Sequence, residues 1–235
     1  MKPNVAYPGP IGTFSQRAAR LFGKGFPCTS FDEVAERVQN GSIANGVLAL
    51  SNNYAGVVTP TLKAIRSHEV VATGLAQIRI RLCVARHPQN TSSTKSLRSH
   101  PHALAQAQDF IREHDYIPMP SSTTARAAWE VANTHQDSAA LCAPEAAALY
   151  NLEVVNDNVS DHDDAITTFV RLENIRRSAK RRLLVTAKLS DELSLWHSLS
   201  EGTSLVSCSS RCVLEEDNVV FDLGGFSRIR RGPYC

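Results

Sequence analysis

What most constrains this chain is a repeated order: a short unbroken apolar run, a polar loop, then a helix start. Val5-Ala6-Tyr7 runs into Pro8–Phe14, and Ser15 stands as the N-cap of a helix through Phe22. Gly46-Val47-Leu48-Ala49-Leu50 runs into the loop Ser51-Asn52-Asn53-Tyr54-Ala55-Gly56, with a short helix from Thr59. Ser138–Ala143 runs into Pro144-Glu145 and a helix ending near Tyr150. Unbroken apolar strands belong to sheets covered on both faces. Repeated β-loop-α units predict a mostly parallel sheet with right-handed crossovers, and they place ligand sites in the loops after the strand ends. Thr13, Ser51, Asn52 and Asn53 are the polar residues so placed. Any one of them alone serves more often as a cap or turn former.

Further helix starts follow the same logic. Ser30 precedes Glu33 by three residues, as in a capping box, with Val34 and Val38 on one face and Gly41 as the stop. Ser99–Gln106 opens a third helix, and Ser121-Ser122-Thr123-Thr124-Ala125 a fourth, whose stripe is Ala127, Ala128 and Val131. Val70–Ala85 reads as strand, and the acidic loop Asp161–Asp164 leads into another strand. Two β-loop-α groups in succession, with the chain crossing back after about 161, predict an α/β domain of two lobes, 1–77 plus 162–175 and 78–161. Two crossings make a hinged central cleft, a favoured ligand position.

Composition narrows the function classes. The 235 residues suffice for a real core, and the net charge of +2 is spread over interleaved signs rather than a basic patch. The one dense basic run, Arg176–Arg182, reads as a solvated linker, so no nucleic-acid partner is expected. The start lacks a leader-like apolar stretch, and no run approaches the ~18 apolar residues of a membrane span, which points to a cytoplasmic protein without a membrane partner. Six scattered cysteines without a C-x-x-C pair read as reduced and mostly buried, and Cys208 and Cys212 lack a second ligand pair for zinc. No phosphate loop, nucleotide fingerprint or metal cluster occurs, so no cofactor is expected. Beyond the linker, 183–226 reads as β-α-β-β: strand Leu183–Leu189, helix Asp191–Leu199, strands Leu205–Cys208 and Val219–Leu223, followed by a tail, 227–235. That is small for an independent core.

The order of loops resembles that of the prephenate dehydratase family over about residues 4–173. Gly9-Pro10-Ile11-Gly12-Thr13-Phe14-Ser15 looks like its opening glycine-rich loop. Gly46–Leu62 is similar to the segment whose loop reads Glu-Asn-Ser in the family. Ser99–Gln106 resembles a Ser-x-Pro-x-Ala-Leu helix start, and Ser122-Thr123-Thr124-Ala125 a Ser-Thr-Ala start. Ala139–Leu152 looks like the strand and helix that follow, and Thr167-Thr168-Phe169 falls where the family carries Thr-Arg-Phe. The resemblance implies a type II periplasmic-binding-protein-like fold of two lobes and prephenate as substrate. It also implies a binding set of Thr13, Asn52, Asn53, Ser99, Ala103, Leu104, Ser122, Thr123 and Phe169. Cys208–Cys212 sits where the family's ACT domain has an Ile-Glu-Ser-Arg-Pro-like stretch, which implies a reduced ACT-like module serving a homodimer or higher homo-oligomer rather than phenylalanine feedback.

The departures bear on chemistry. Family dehydratases expel carbon dioxide and the ring hydroxyl together, and hydroxide leaves only with a proton or hydrogen bonds delivered to it. Relative to the family pattern, Thr168 stands for the Arg, Ser51 for the Glu and Asn53 for the Ser. Loss of two charged groups resembles a subgroup that decarboxylates prephenate without aromatising it. Ser51, Thr167 and Thr168 are then the positioning residues. His162, whose ordinary pKa lies nearest neutrality, is the candidate proton donor, and Arg81 is a candidate counter-charge for a dianion. Three alternatives stay open: a dehydratase with an atypical site, a non-catalytic sensor of cyclohexadienyl or aromatic acids, and a related lyase acting on arogenate or another cyclohexadienyl acid.

Overall fold

The computed structural model describes residues 3–90, 94–174 and 176, together with the backbone of four strands nearer the C-terminus. In chain order the elements are β1 (Asn4–Pro8), α1 (Phe14–Phe22), β2 (Lys24–Cys28), α2 (Phe31–Gln39), β3 (Asn45–Asn52), β4 (Gly56–Val57), α3 (Thr59–Ser67) and β5 (Val70–Arg79). There follow β6 (Cys83–Arg86), β7 (Ser96–Ser99), α4 (Pro101–Ala105), α5 (Gln108–Glu113), β8 (Ile117–Pro120), α6 (Thr124–Asn133), β9 (Ala139–Cys142), α7 (Pro144–Leu149), β10 (Glu153–Asn156) and β11 (Ile166–Asn174). The last four are β12 (Leu205–Cys208), β13 (Val213–Glu215), β14 (Asn218–Asp222) and β15 (Phe226–Arg228).

The chain forms two units, residues 1–8, 18–79 and 166–235 in one and 9–17 and 80–165 in the other. The first is built on a sheet ordered β13-β14-β5-β11-β3-β1-β2, with β4 paired to β3. The second is built on the order β10-β6-β9-β7-β8. Neither sheet is mostly parallel, contrary to the sequence expectation. Parallel pairing is confined to β1–β2, β1–β3, β7–β8 and β7–β9, whose connections run through helices. β11 runs antiparallel to both β3 and β5, and β6 antiparallel to both β9 and β10. These strands flank the crossings between units. A strand that returns after a whole unit is free to run against its neighbours, because no single crossover fixes its direction.

Residues 9–17 group with the second unit, although the sequence reading put them in the first lobe. Their packing gives the reason. Gly12 lies at φ +92, and a Cβ there would come 3.2 Å from Leu149 Cδ2 and 3.4 Å from the Ala146 methyl. Tyr150 donates its hydroxyl to the Ile11 carbonyl at 3.2 Å, and Arg17 pairs with Glu145 at 3.3 Å. The cap of α1 also differs from expectation. Thr13 Oγ1, not Ser15, accepts from the Gln16 N–H at 3.2 Å and donates to the Pro10 carbonyl at 3.0 Å.

Apolar residues of α2, α3, β3, β5 and β11 form the first unit's core, among them Val34, Val38, Leu48, Leu50, Ala64, Leu75, Val170 and Leu172. Gly46 allows α2 to lie close on β3: a Cβ there would sit 2.7 Å from Val34 Cγ1 and 3.0 Å from Val38 Cγ2. The second unit's core is made of small residues, Ala125, Ala128, Ala140, Ala143, Ala146 and Ala147, with Cys83 and Cys142 between them. Near the C-terminus, β14 extends the first sheet by pairing antiparallel with β5, and β12 pairs with β15. The expected strand 183–189 and helix 191–199 lie outside the described residues.

At the start of α2, Ser30 Oγ accepts from the Glu33 N–H at 3.0 Å, as the spacing predicts. Glu33 does not close the box on Ser30. Its carboxylate accepts from the Thr29 hydroxyl at 2.7 Å and the Thr29 N–H at 2.6 Å, and it pairs with Arg37 at 2.8 Å. These partners, the Thr29 hydroxyl first, hold its pKa down to about 2. A depressed carboxylate stabilises the fold above its unfolded pKa, and the contribution vanishes as pH falls through the folded value. Glu33→Gln therefore lowers the urea midpoint at neutral pH, and its gap from wild type narrows between about pH 5 and about pH 2. Gly46→Ala, which drives a methyl into Val34, costs roughly 1–3 kcal/mol in the same urea titration.

Candidate functional site

In the first unit, the polar ends of β3 and β11 meet in register. Thr168 lies directly opposite Ser51 on β3 and Gln77 on β5, and Thr167 opposite Asn52. A bulge between Thr168 and Phe169 leaves Leu50 unpaired in the ladder, so Ala49 faces Phe169. The Ala49 carbonyl accepts the Thr61 hydroxyl of α3. Thr168 and Ser51 are buried, at 4% and 5% exposure. Ser51 Oγ is enclosed without a hydrogen-bond partner. A buried hydroxyl left so costs roughly 1–3 kcal/mol, which makes it the residue here with most to gain from a ligand.

The two asparagines are turn formers. Asn52 Nδ2 donates to Thr167 Oγ1 at 3.0 Å, while its Oδ1 accepts from the Tyr54 and Ala55 N–H groups at 3.0 and 2.9 Å. Asn53 Oδ1 accepts from the Ile166 N–H at 2.8 Å. They clasp the end of β3 to the start of β11 and so set the register that aligns Ser51 with Thr168. Phe169, expected to touch substrate, is 1% exposed and belongs to the core.

Sequence reading missed Arg79. It lies opposite Ile166, two residues from Gln77 along β5, so its side chain shares a face with Gln77 and Thr168. Diagonal neighbours of this kind lie about 7–8 Å apart, within reach of a long side chain. Arg79 is exposed. Only the strand register shows this, and the apolar pattern of Val70–Ala85 does not carry it.

The second unit holds the other expected residues. Gly9, at φ +97, brings its loop against two of them: a Cβ there would meet Thr13 Cγ2 at 3.3 Å and Thr123 Cγ2 at 3.9 Å. Thr123 caps α6, accepting from the Arg126 N–H at 2.9 Å, and Ser122 beside it is exposed. Ser121 Oγ, one residue earlier, is buried without a partner, and no sequence signal singled it out. Ser99 ties two strands: fully buried, it donates to the Leu141 carbonyl at 2.6 Å. Ala103 is buried and Leu104 half-buried on α4. His100 caps that helix through Nδ1, which accepts from the His102 N–H at 3.2 Å. Burial, and then the charge of His102, push its pKa below the ordinary histidine value. Arg81 and His162 are exposed. His162 follows Asp161, whose carboxylate caps α5 by accepting from the Gln108 and Asp109 N–H groups at 2.8 and 3.2 Å. Among the described residues no group of His, Cys, Asp and Glu is arranged to hold a metal.

Comparison with known proteins bears on this arrangement. The prephenate dehydratase family profile matches residues 5–177. The chain belongs to the prephenate dehydratase family. The bifunctional chorismate mutase/prephenate dehydratase of Pseudomonas aeruginosa is 33% identical over 178 residues, covering 72% of this chain and 48% of that protein. The arogenate dehydratase/prephenate dehydratase 2 of Arabidopsis thaliana is 29% identical over 173 residues, covering 72% and 45%. The chain thus spans about half the length of these curated relatives. The crystal structure of prephenate dehydratase from Arthrobacter aurescens with L-Phe superposes with a TM-score of 0.68 at 23% identity, over 93% of this chain and 80% of that one. The mixed α/β fold on two sheets is therefore that of solved members of the prephenate dehydratase family.

The buried, unpartnered Ser51 hydroxyl gives a prediction. Ser51→Ala removes an unsatisfied group, so the urea midpoint holds or rises, whereas binding or turnover of the natural ligand falls at least 10-fold. A residue retained only for packing would show the opposite pattern.

Proposed function

We propose that this chain is a lyase acting on prephenate, and that it releases carbon dioxide while leaving the ring hydroxyl in place. Family membership supports the substrate class. The observation that carries the choice of reaction is the row Ser51–Thr168–Gln77, which is uncharged across three strands. Dehydration of prephenate develops negative charge on the departing oxygen, and a fixed cationic donor is the effective way to meet it. Thr168 and Ser51 offer hydroxyls only. Decarboxylation asks for less at that oxygen: the ring carboxylate loses carbon dioxide, the electron pair enters the ring, and one proton reaches a ring carbon. A neutral, poorly hydrated row suits the first step, because a carboxylate there is weakly solvated while the charge it leaves behind is spread over the ring.

In this reading Ser51, Thr167 and Thr168 orient the reacting end of the substrate, and Arg79 holds a carboxylate from the neighbouring strand. His162 is the proposed proton donor, and unchanged turnover in His162→Ala removes it from that role. Arg79 also favours a second reading. If its guanidinium reaches the departing hydroxyl, it replaces the family Arg in function, and the chain is a dehydratase with a displaced cation.

Incubation of the protein with prephenate separates the two. Carbon dioxide release without the alkaline enol absorbance of phenylpyruvate is the expected result. Equal amounts of carbon dioxide and phenylpyruvate at enzymatic rates establish the dehydratase reading instead. Prephenate left intact removes both.

A further inference from the structure

The second unit contains a pair of cysteines that the proposed reaction does not use. Cys83 on β6 and Cys142 on β9 are directly opposite in the antiparallel ladder, and each has no exposed surface. Residues opposite each other in such a ladder have Cα atoms about 4.5–5.5 Å apart, inside the ~4.4–6.8 Å window of a disulfide. Both side chains lie in the same alanine-rich core, Cys83 beside Ala85 on β6 and Cys142 beside Ala140 on β9. Neither strand is an edge of its sheet: β6 lies between β10 and β9, and β9 between β6 and β7. A bond between them would need little backbone movement.

We propose that Cys83 and Cys142 form an oxidisable dithiol site whose reactant is a peroxide and whose product is an intramolecular disulfide. The balance has two steps. The Cys83 thiolate attacks one peroxide oxygen, the O–O bond breaks, and Cys83 becomes a sulfenic acid as hydrogen peroxide is reduced to water. Cys142 sulfur then attacks the Cys83 sulfur, the S–O bond breaks, and a second water leaves with the proton of Cys142. Overall two thiols and one hydrogen peroxide give one disulfide and two waters. The first attack is assigned to Cys83, whose thiol is drawn below the ordinary value chiefly by its neighbour Cys142, while the same neighbour and burial push the Cys142 thiol up. Peroxide is close to water in size, so a brief local opening of the strand pair admits it. Cys28, the other described cysteine, lies on β2 of the first unit.

The test uses the full reduced chain with excess hydrogen peroxide at neutral pH, followed by alkylation, proteolysis and mass analysis. The expected product is a peptide pair joined through Cys83 and Cys142, lighter by two hydrogens and separated by dithiothreitol. The joined protein should melt about 5 °C higher than the reduced one. In Cys142→Ala, Cys83 should be trapped as a sulfenic acid by a dione reagent at a rate above that of Cys28. Both thiols recovered alkylated, Cys83 driven to sulfinic or sulfonic acid without a link, or Cys83 joined to any other cysteine overturns the proposal. The wild-type peptide pattern decides it even if Cys142→Ala does not fold.

Discussion

The insertion of β11 between β3 and β5 governs the first unit. The strand enters the sheet only after the chain has built the whole second unit, and it then pairs with β3 on one side and β5 on the other. Its apolar residues, Val170 and Leu172, complete the core under α2 and α3. Its first residues, Ile166 to Thr168, carry the polar end of the ladder. One strand thus couples the core to the candidate site. A slip of one residue would turn Thr168 away from Ser51 and expose the apolar set. The Asn52 and Asn53 clasps and the bulge beside Phe169 are the local devices that prevent it.

Much of this fold is legible in the sequence where apolar runs and caps are strong. Leu48 and Leu50, the Ser30 cap, and the Ala127, Ala128 and Val131 stripe all behave as the pattern implies. Among the strands that carry no apolar signal, β2 and β8 are edges of their sheets and carry prolines, Pro27, Pro118 and Pro120. Proline is confined to such positions because it cannot donate to a second neighbour, and edge strands need no apolar alternation. The direction of β11 was not readable, because it depends on where the chain returns after 86 residues of another unit, Ile80–Ala165.

The residue types of the candidate site were legible in the sequence, and their protein partners were not. Asn53 and Thr123 follow strand ends, whereas Asn52 and Ser99 are the last residues of β3 and β7, and the polar atoms of all four serve strand ties, turns and caps. Ser51 differs from them because its hydroxyl is buried and unanswered. That distinction depends on which partners come within reach, and no local sequence pattern encodes it. Arg79 illustrates the converse. As a lone charge in a strand it reads as an edge residue, and it acquires meaning only when the register puts it on the face of Thr168.

In the proposed reaction one sheet divides the labour: the uncharged row takes the reacting end and the neighbouring Arg79 guanidinium takes a carboxylate. Calorimetric titration of prephenate into wild type and Arg79→Ala tests it most directly. Loss of one charge-assisted hydrogen bond, about 1.5–3 kcal/mol, predicts affinity weakened by roughly 10- to 100-fold. Prephenate binding equally tightly to both proteins would contradict it.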